Sequence, residues 1–149
     1  MCLNFNENII AGKSIAGISI NDNVKDWVNS INPRQIKQEA ISEQYTDYVI
    51  NNGIVSFTGN NESGLIEKIS CKRPYNGKFD NFFYPGMVVN ELIVENKYSI
   101  ILHGILIIDK SMNIGFDLPE EFTELDSIKE LPKFLVLEEL HVMKNNWWR

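Results

Sequence analysis

A faint internal duplication constrains this chain more than any single motif. One pattern runs through residues 12–58 and returns, with a shortened middle, through 82–117. The first copy opens on Gly12-Lys13-Ser14-Ile15-Ala16-Gly17-Ile18-Ser19-Ile20 and turns helical at Asp22-Asn23-Val24-Lys25-Asp26-Trp27-Val28. The second opens on Phe82-Phe83-Tyr84-Pro85-Gly86-Met87, followed by Val88-Val89-Asn90-Glu91-Leu92-Ile93. Each then reaches a tyrosine that starts an apolar strand, a turn glycine and a second apolar strand. These are Tyr45, Gly53 and Ile54-Val55-Ser56-Phe57 in one copy, and Tyr98, Gly104 and Ile105-Leu106-Ile107-Ile108 in the other. Such a repeat makes a sheet with short helices across one face, and no catalytic group recurs in it.

Periodicity places the elements. Ile18 and Ile20 alternate as a short edge strand, and Val24, Trp27, Val28 and Ile31 share one helical face with Asn21 or Asp22 as N-cap. Residues 34–41 add a further helical turn or two. Strands are expected at 45–51 and 54–58 around Asn52-Gly53, and at 65–72. A polar joint at 73–80 separates the copies. Beyond it come a helix at 88–94, strands at 98–102 and 105–109 around His103-Gly104, and a third strand at 113–118. The tail, 134–144, could be helix or strand, and its spacing after Leu131-Pro132 favours a closing strand. The expected fold is α+β: a single domain over 1–149, with a twisted antiparallel sheet of about six or seven strands and two or three short helices. The degenerate repeats cover about 12–72 and 82–118, with 134–144 as the closing segment.

At 149 residues a chain buries roughly 70% of its unfolded surface, so no metal or disulfide is needed to hold it. No apolar run approaches the ~18 residues of a membrane span, and the first residues carry neither a basic start nor a signal-like apolar stretch. A cytoplasmic protein with no membrane association is expected. Cys2 and Cys71 read as free thiols. The sharper reading of Cys2 is an N-terminal nucleophile exposed by removal of Met1, which would make the chain a small hydrolase.

Other chemistry is sparse. His103 falls in a hairpin turn and His141 in the terminal strand, neither with a second ligand at metal spacing. Gly12-Lys13-Ser14 resembles the end of a phosphate-binding loop, but Glu7 stands where that loop needs glycine. Asp109-Lys110-Ser111 suits turn geometry. The expectation is a non-enzyme without metal or cofactor.

Charge is more telling. The net −6 is uneven: residues 1–74 hold 8 acids and 7 bases, residues 75–149 hold 12 acids and 7 bases. Asp117, Glu120, Glu121, Glu124 and Asp126 fall within ten residues with no intervening base. This field repels nucleic acid and attracts a basic partner, speeding encounter. Aromatics crowd the joint (Tyr75, Phe79, Phe82, Phe83, Tyr84), where they suit packing between the halves. Trp147-Trp148-Arg149 forms a terminal apolar patch that either folds back on the sheet or meets a partner.

The glycine and apolar placement in the two openings, Gly-Lys-Ser-Ile-Ala-Gly-Ile-Ser-Ile-Asn-Asp-Asn-Val and Tyr-Pro-Gly-Met-Val-Val-Asn-Glu-Leu-Ile, resembles that of small bacterial immunity proteins. These are the antitoxins of contact-dependent growth inhibition and related polymorphic toxin systems, and the likeness runs over residues 10–143. It implies a cytoplasmic protein that binds a cognate toxin domain, often a nuclease, and blocks its active site. The resemblance brings no catalytic or binding residue with it. The acidic stretch and Trp147 and Trp148 are the residues expected to bind the partner. A ligand-binding module using the groove between the repeats is a further reading.

Overall fold

The computed structural model describes residues 2–95 and 97–149. Its architecture is α+β: an eight-stranded antiparallel sheet, a separate two-stranded hairpin and two short α-helices. The hairpin comprises β1 (Ser14–Ile15) and β2 (Ile18–Ser19), turned at Ala16 and Gly17, both at positive φ. Ile18 therefore belongs to this satellite hairpin and not to an edge of the main sheet. Helix α1 (Val24–Ser30) follows, burying Val24 and Trp27. Its N-cap is Asn23, whose side chain accepts from the Lys25 amide, one residue beyond the expected cap. The Asp22 carboxylate is engaged elsewhere, accepting from the Ser19 amide at 2.9 Å and the Trp27 indole at 2.8 Å.

The main sheet is two consecutive four-stranded meanders that meet at their last strands. The first contains β3 (Ile36–Ala40), β4 (Tyr45–Ile50), β5 (Val55–Asn60) and β6 (Ile66–Lys72). The second contains β7 (Ile100–Leu102), β8 (Ile105–Ile107), β9 (Ile114–Asp117) and β10 (Glu139–Met143). Spatial order is β3-β4-β5-β6-β10-β9-β8-β7, with β6 antiparallel to β10 at the centre. A helix precedes each meander: α1 before the first, α2 (Val89–Val94) before the second. Sheet position equates β4 with β8, whereas the matched tyrosines and glycines of the sequence equate β4 with β7. The mirror of the sheet is thus one strand out of step with the sequence pattern. The closing segment supplies the fourth strand of the second meander.

Within residues 34–41 the chain forms β3 (Ile36–Ala40) rather than helical turns. Ile36, Ala40 and Ile41 are the apolar residues of 34–41, too few for a helical face, and pairing with β4 over five residues satisfies the strand's backbone. This strand takes the main sheet to eight.

Strand alternation divides the sheet into two faces. Val55, Phe57, Ile69, Cys71, Leu140, Val142, Ile114, Phe116 and Leu106 lie on one face by register, and all are buried in the core. Both helices bury side chains in that core, Val24 and Trp27 from α1 and Val89 and Leu92 from α2. An ideal Cβ at Gly59 would fall 2.5 Å from Val24 Cγ2, so glycine lets α1 approach the β5 backbone. Tyr75 ties the joint to the first hairpin, its hydroxyl donating to the Glu7 carbonyl and accepting from the Ala16 amide. Phe83 stacks on Phe79 and meets Phe82 edge-on, packing the joint. Among the described residues, no helix is long and apolar enough to cross a membrane.

Candidate functional site

The other sheet face carries no helix, and its chemistry is mixed. At its centre, one register row sets Ser70 of β6 beside His141 of β10, with Gly115 of β9 next in line. Ser70 and His141 are only 3% and 4% exposed. Ser70 Oγ lies 2.6 Å from His141 Nδ1, while Nε2 faces Asp117 Oδ1 at 3.7 Å and Glu139 lies 3.6 Å from Nδ1. A proton on Nε2 satisfies this geometry, with Nδ1 accepting from the Ser70 hydroxyl. His141 is the first influence on Asp117: the imidazole beside it holds the carboxyl below its ordinary range, against an opposing effect of burial.

Serine, histidine and aspartate in a line invite comparison with a nucleophilic triad, but access decides against it. The hydroxyl is sealed in the sheet, so it orients the imidazole rather than attacking a substrate. Gly115 belongs to the same arrangement: a Cβ there would lie 2.5 Å from Ile105 Cγ2.

Beside this row runs a groove of about 340 Å³, lined by residues of five strands, the β3–β4 turn and the C-terminal tail. Ile41, Ile105, Met143 and Trp147 give it apolar walls, and Tyr45, Thr58, Glu67, Lys68 and Lys144 complete the lining. Glu67 is held from three sides, by Lys144 Nζ at 2.6 Å, Asn60 Nδ2 at 2.9 Å and the Tyr45 hydroxyl at 3.3 Å. Burial pushes its pKa upward, yet these donors outweigh that effect and leave the carboxylate below its ordinary value. The bond to Glu67 raises Lys144 in turn.

The terminal tryptophans fold back onto the sheet. The Trp147 indole donates to the Met112 carbonyl at 2.5 Å, its ring stands edge-on to His103 at 6.1 Å and to Trp148 at 6.2 Å, and the Trp148 carbonyl lies 3.2 Å from His103 Nε2. Both rings remain half-exposed.

The acidic stretch runs from the end of β9. Glu120 and Glu121 open a 3₁₀ turn (Glu120–Phe122), and Glu124 and Asp126 follow in a loop before a second turn (Ile128–Glu130). Phe122, Leu125 and Ile128 pack against the core and anchor the segment, while all five acids are exposed. Among the described residues, Glu120, Glu121, Glu124 and Asp126 have no Lys, Arg or His within 4 Å, and Asp117 has His141 alone. The structure brings Asp117 to the groove, since Ile105 is its register partner. The remaining acids follow in the loop beyond it.

The thiols differ. Cys2 is exposed, and Cys71 is buried in the core, where loss of solvation raises its pKa far above the thiolate range. Met1, on whose removal the nucleophile reading turns, lies outside the described residues. Ile41, Tyr45, Glu67, Ile105 and Met143 are site residues that the sequence reading did not single out. Compared with models of protein families, with curated proteins and with solved structures, the chain matches none.

Proposed function

We propose that this chain is a bacterial immunity protein that binds a cognate toxin domain, basic and nuclease-like, and occludes its active site. The observation that carries this reading is the acidic segment: exposed carboxylates of which Glu120, Glu121, Glu124 and Asp126 have, among the described residues, no basic group within 4 Å, anchored beneath by Phe122, Leu125 and Ile128. A solvated loop serving solubility alone needs no apolar anchoring. A surface that must meet a basic cleft gains from it, because rigid charges steer encounter and lose less entropy on binding. The half-exposed Trp147 and Trp148 supply the aromatic area typical of interface centres. The work of the protein on this reading is cytoplasmic and stoichiometric, without catalysis or cofactor.

The test is co-expression with the toxin domain encoded beside the gene. Parent protein should restore growth, and the triple variant Glu120→Lys, Glu121→Lys, Glu124→Lys should protect poorly at equal expression. Growth arrest undiminished by the parent protein would refute the reading. A Cys2→Ser variant that folds but fails to protect would favour a hydrolase instead.

A further inference from the structure

We propose that the groove on the open sheet face receives an apolar side chain of the basic protein partner, with Trp147 as its wall. This inference rests on the immunity reading and assigns that partner a seat. Most polar groups around the groove are engaged within the protein, Glu67 with Lys144, Asn60 and Tyr45, and Thr58 with Asp47, while the Lys68 charge acts on Asp117. A polar metabolite would have to break these bonds to make its own. What the groove offers is apolar: Ile41, which is 57% exposed, with Ile105, Met143 and the Trp147 ring.

Charge identifies the occupant. Ile105 in the groove pairs across the sheet with Asp117, whose side chain is 60% exposed. From Asp117 the chain passes directly into the acidic segment, and the Leu118 amide donates to the Gly104 carbonyl in the turn that carries His103. His103 in turn meets Trp147. The groove therefore adjoins Asp117, from which the chain carries the acidic segment onward. A protein segment with a large aliphatic or aromatic residue flanked by Lys or Arg complements both the apolar walls and the carboxylates, whereas an acidic segment is repelled by the carboxylates and a uniformly polar one leaves the apolar walls uncovered. The division of labour has a kinetic signature: the carboxylates act on the rate of encounter, and the groove acts on the lifetime of the complex.

The experiment measures association and dissociation of the toxin domain encoded beside the gene, with three variants checked for folding by thermal melts. Ile41→Ser removes an exposed groove contact without adding charge, so folding is preserved. Trp147→Ala removes the wall. Phe134→Ser is the control, because Phe134 is 82% exposed and outside the groove. Dissociation should accelerate about fivefold or more for Ile41→Ser and about thirtyfold for Trp147→Ala, as for truncated interface anchors. Association rates should stay within twofold, and Phe134→Ser should match the parent. If Ile41→Ser and folded Trp147→Ala dissociate as the parent does, the groove is not the seat, and the immunity reading stands on the acidic segment alone. If the parent itself fails to bind at micromolar concentration, both are overturned.

Discussion

Reversing Glu120, Glu121 and Glu124 to Lys perturbs the proposed encounter without disturbing the fold, and its size follows from the structure. All three side chains are exposed and, among the described residues, lack an ion pair, so each exchange changes the outward field by two charges. In water, one such charge about 10 Å from a single partner cation contributes about 0.4 kcal/mol. Six charge units make about 2.5 kcal/mol before screening. With a Debye length of about 30 Å at 0.01 M salt, roughly 1.8 kcal/mol survives, a slowing of association of about twentyfold. At 0.15 M the length is about 8 Å and roughly 0.7 kcal/mol survives, or about threefold. Stopped-flow mixing with the toxin domain at both salt concentrations reads these two ratios. Dissociation should change little, and the melting temperature should hold, since exposed substitutions of this kind move stability by about 0.5 kcal/mol or less. An association rate for the triple variant equal to the parent's at low salt would refute steering by this segment.

Other expectations concern the scaffold of the site. Glu67→Gln should weaken the Lys144 clasp and flatten the acid limb of the stability profile: the folded carboxyl titrates below its ordinary value, so its contribution is present above the unfolded pKa and fades as pH falls through the folded one. Urea unfolding of parent and variant between pH 7 and pH 3 measures the difference, and parallel profiles would contradict it. Ser70→Ala leaves the buried Nδ1 of His141 without its 2.6 Å partner and should cost about 1–3 kcal/mol in urea unfolding, with unchanged toxin affinity per folded molecule. Gly59→Ala drives a methyl into Val24 of α1 and should cost about 1–3 kcal/mol by overpacking; an unaltered melting temperature would show that α1 can shift.

Legibility from sequence followed the range of the interactions. The strands at 45–51, 54–58, 65–72 and around His103-Gly104 were readable because alternation and turn glycines are local signals, and Asn52 and His103 do take positive φ beside Gly53 and Gly104. Residues 34–41 lacked such a signal: their strand is specified by pairing with β4. His141 was legible as a sheet residue between Leu140 and Val142. Its neighbours Ser70 and Asp117 were not, because they arrive only when β10 inserts between β6 and β9. For the same reason the groove escaped sequence reading: Ile41, Tyr45, Ile105, Met143 and Trp147 come from five separate segments. The acidic stretch was legible in composition, but its anchoring by Phe122, Leu125 and Ile128 required the core they pack against.

The proposal that the chain neutralises a toxin by covering its active site is met most directly by titrating the purified protein into any toxin domain encoded beside the gene and following nuclease activity. Activity should fall linearly to near zero at one equivalent of the protein, and nucleic acid substrate should compete with binding. Full nuclease activity in the presence of micromolar protein would contradict the account.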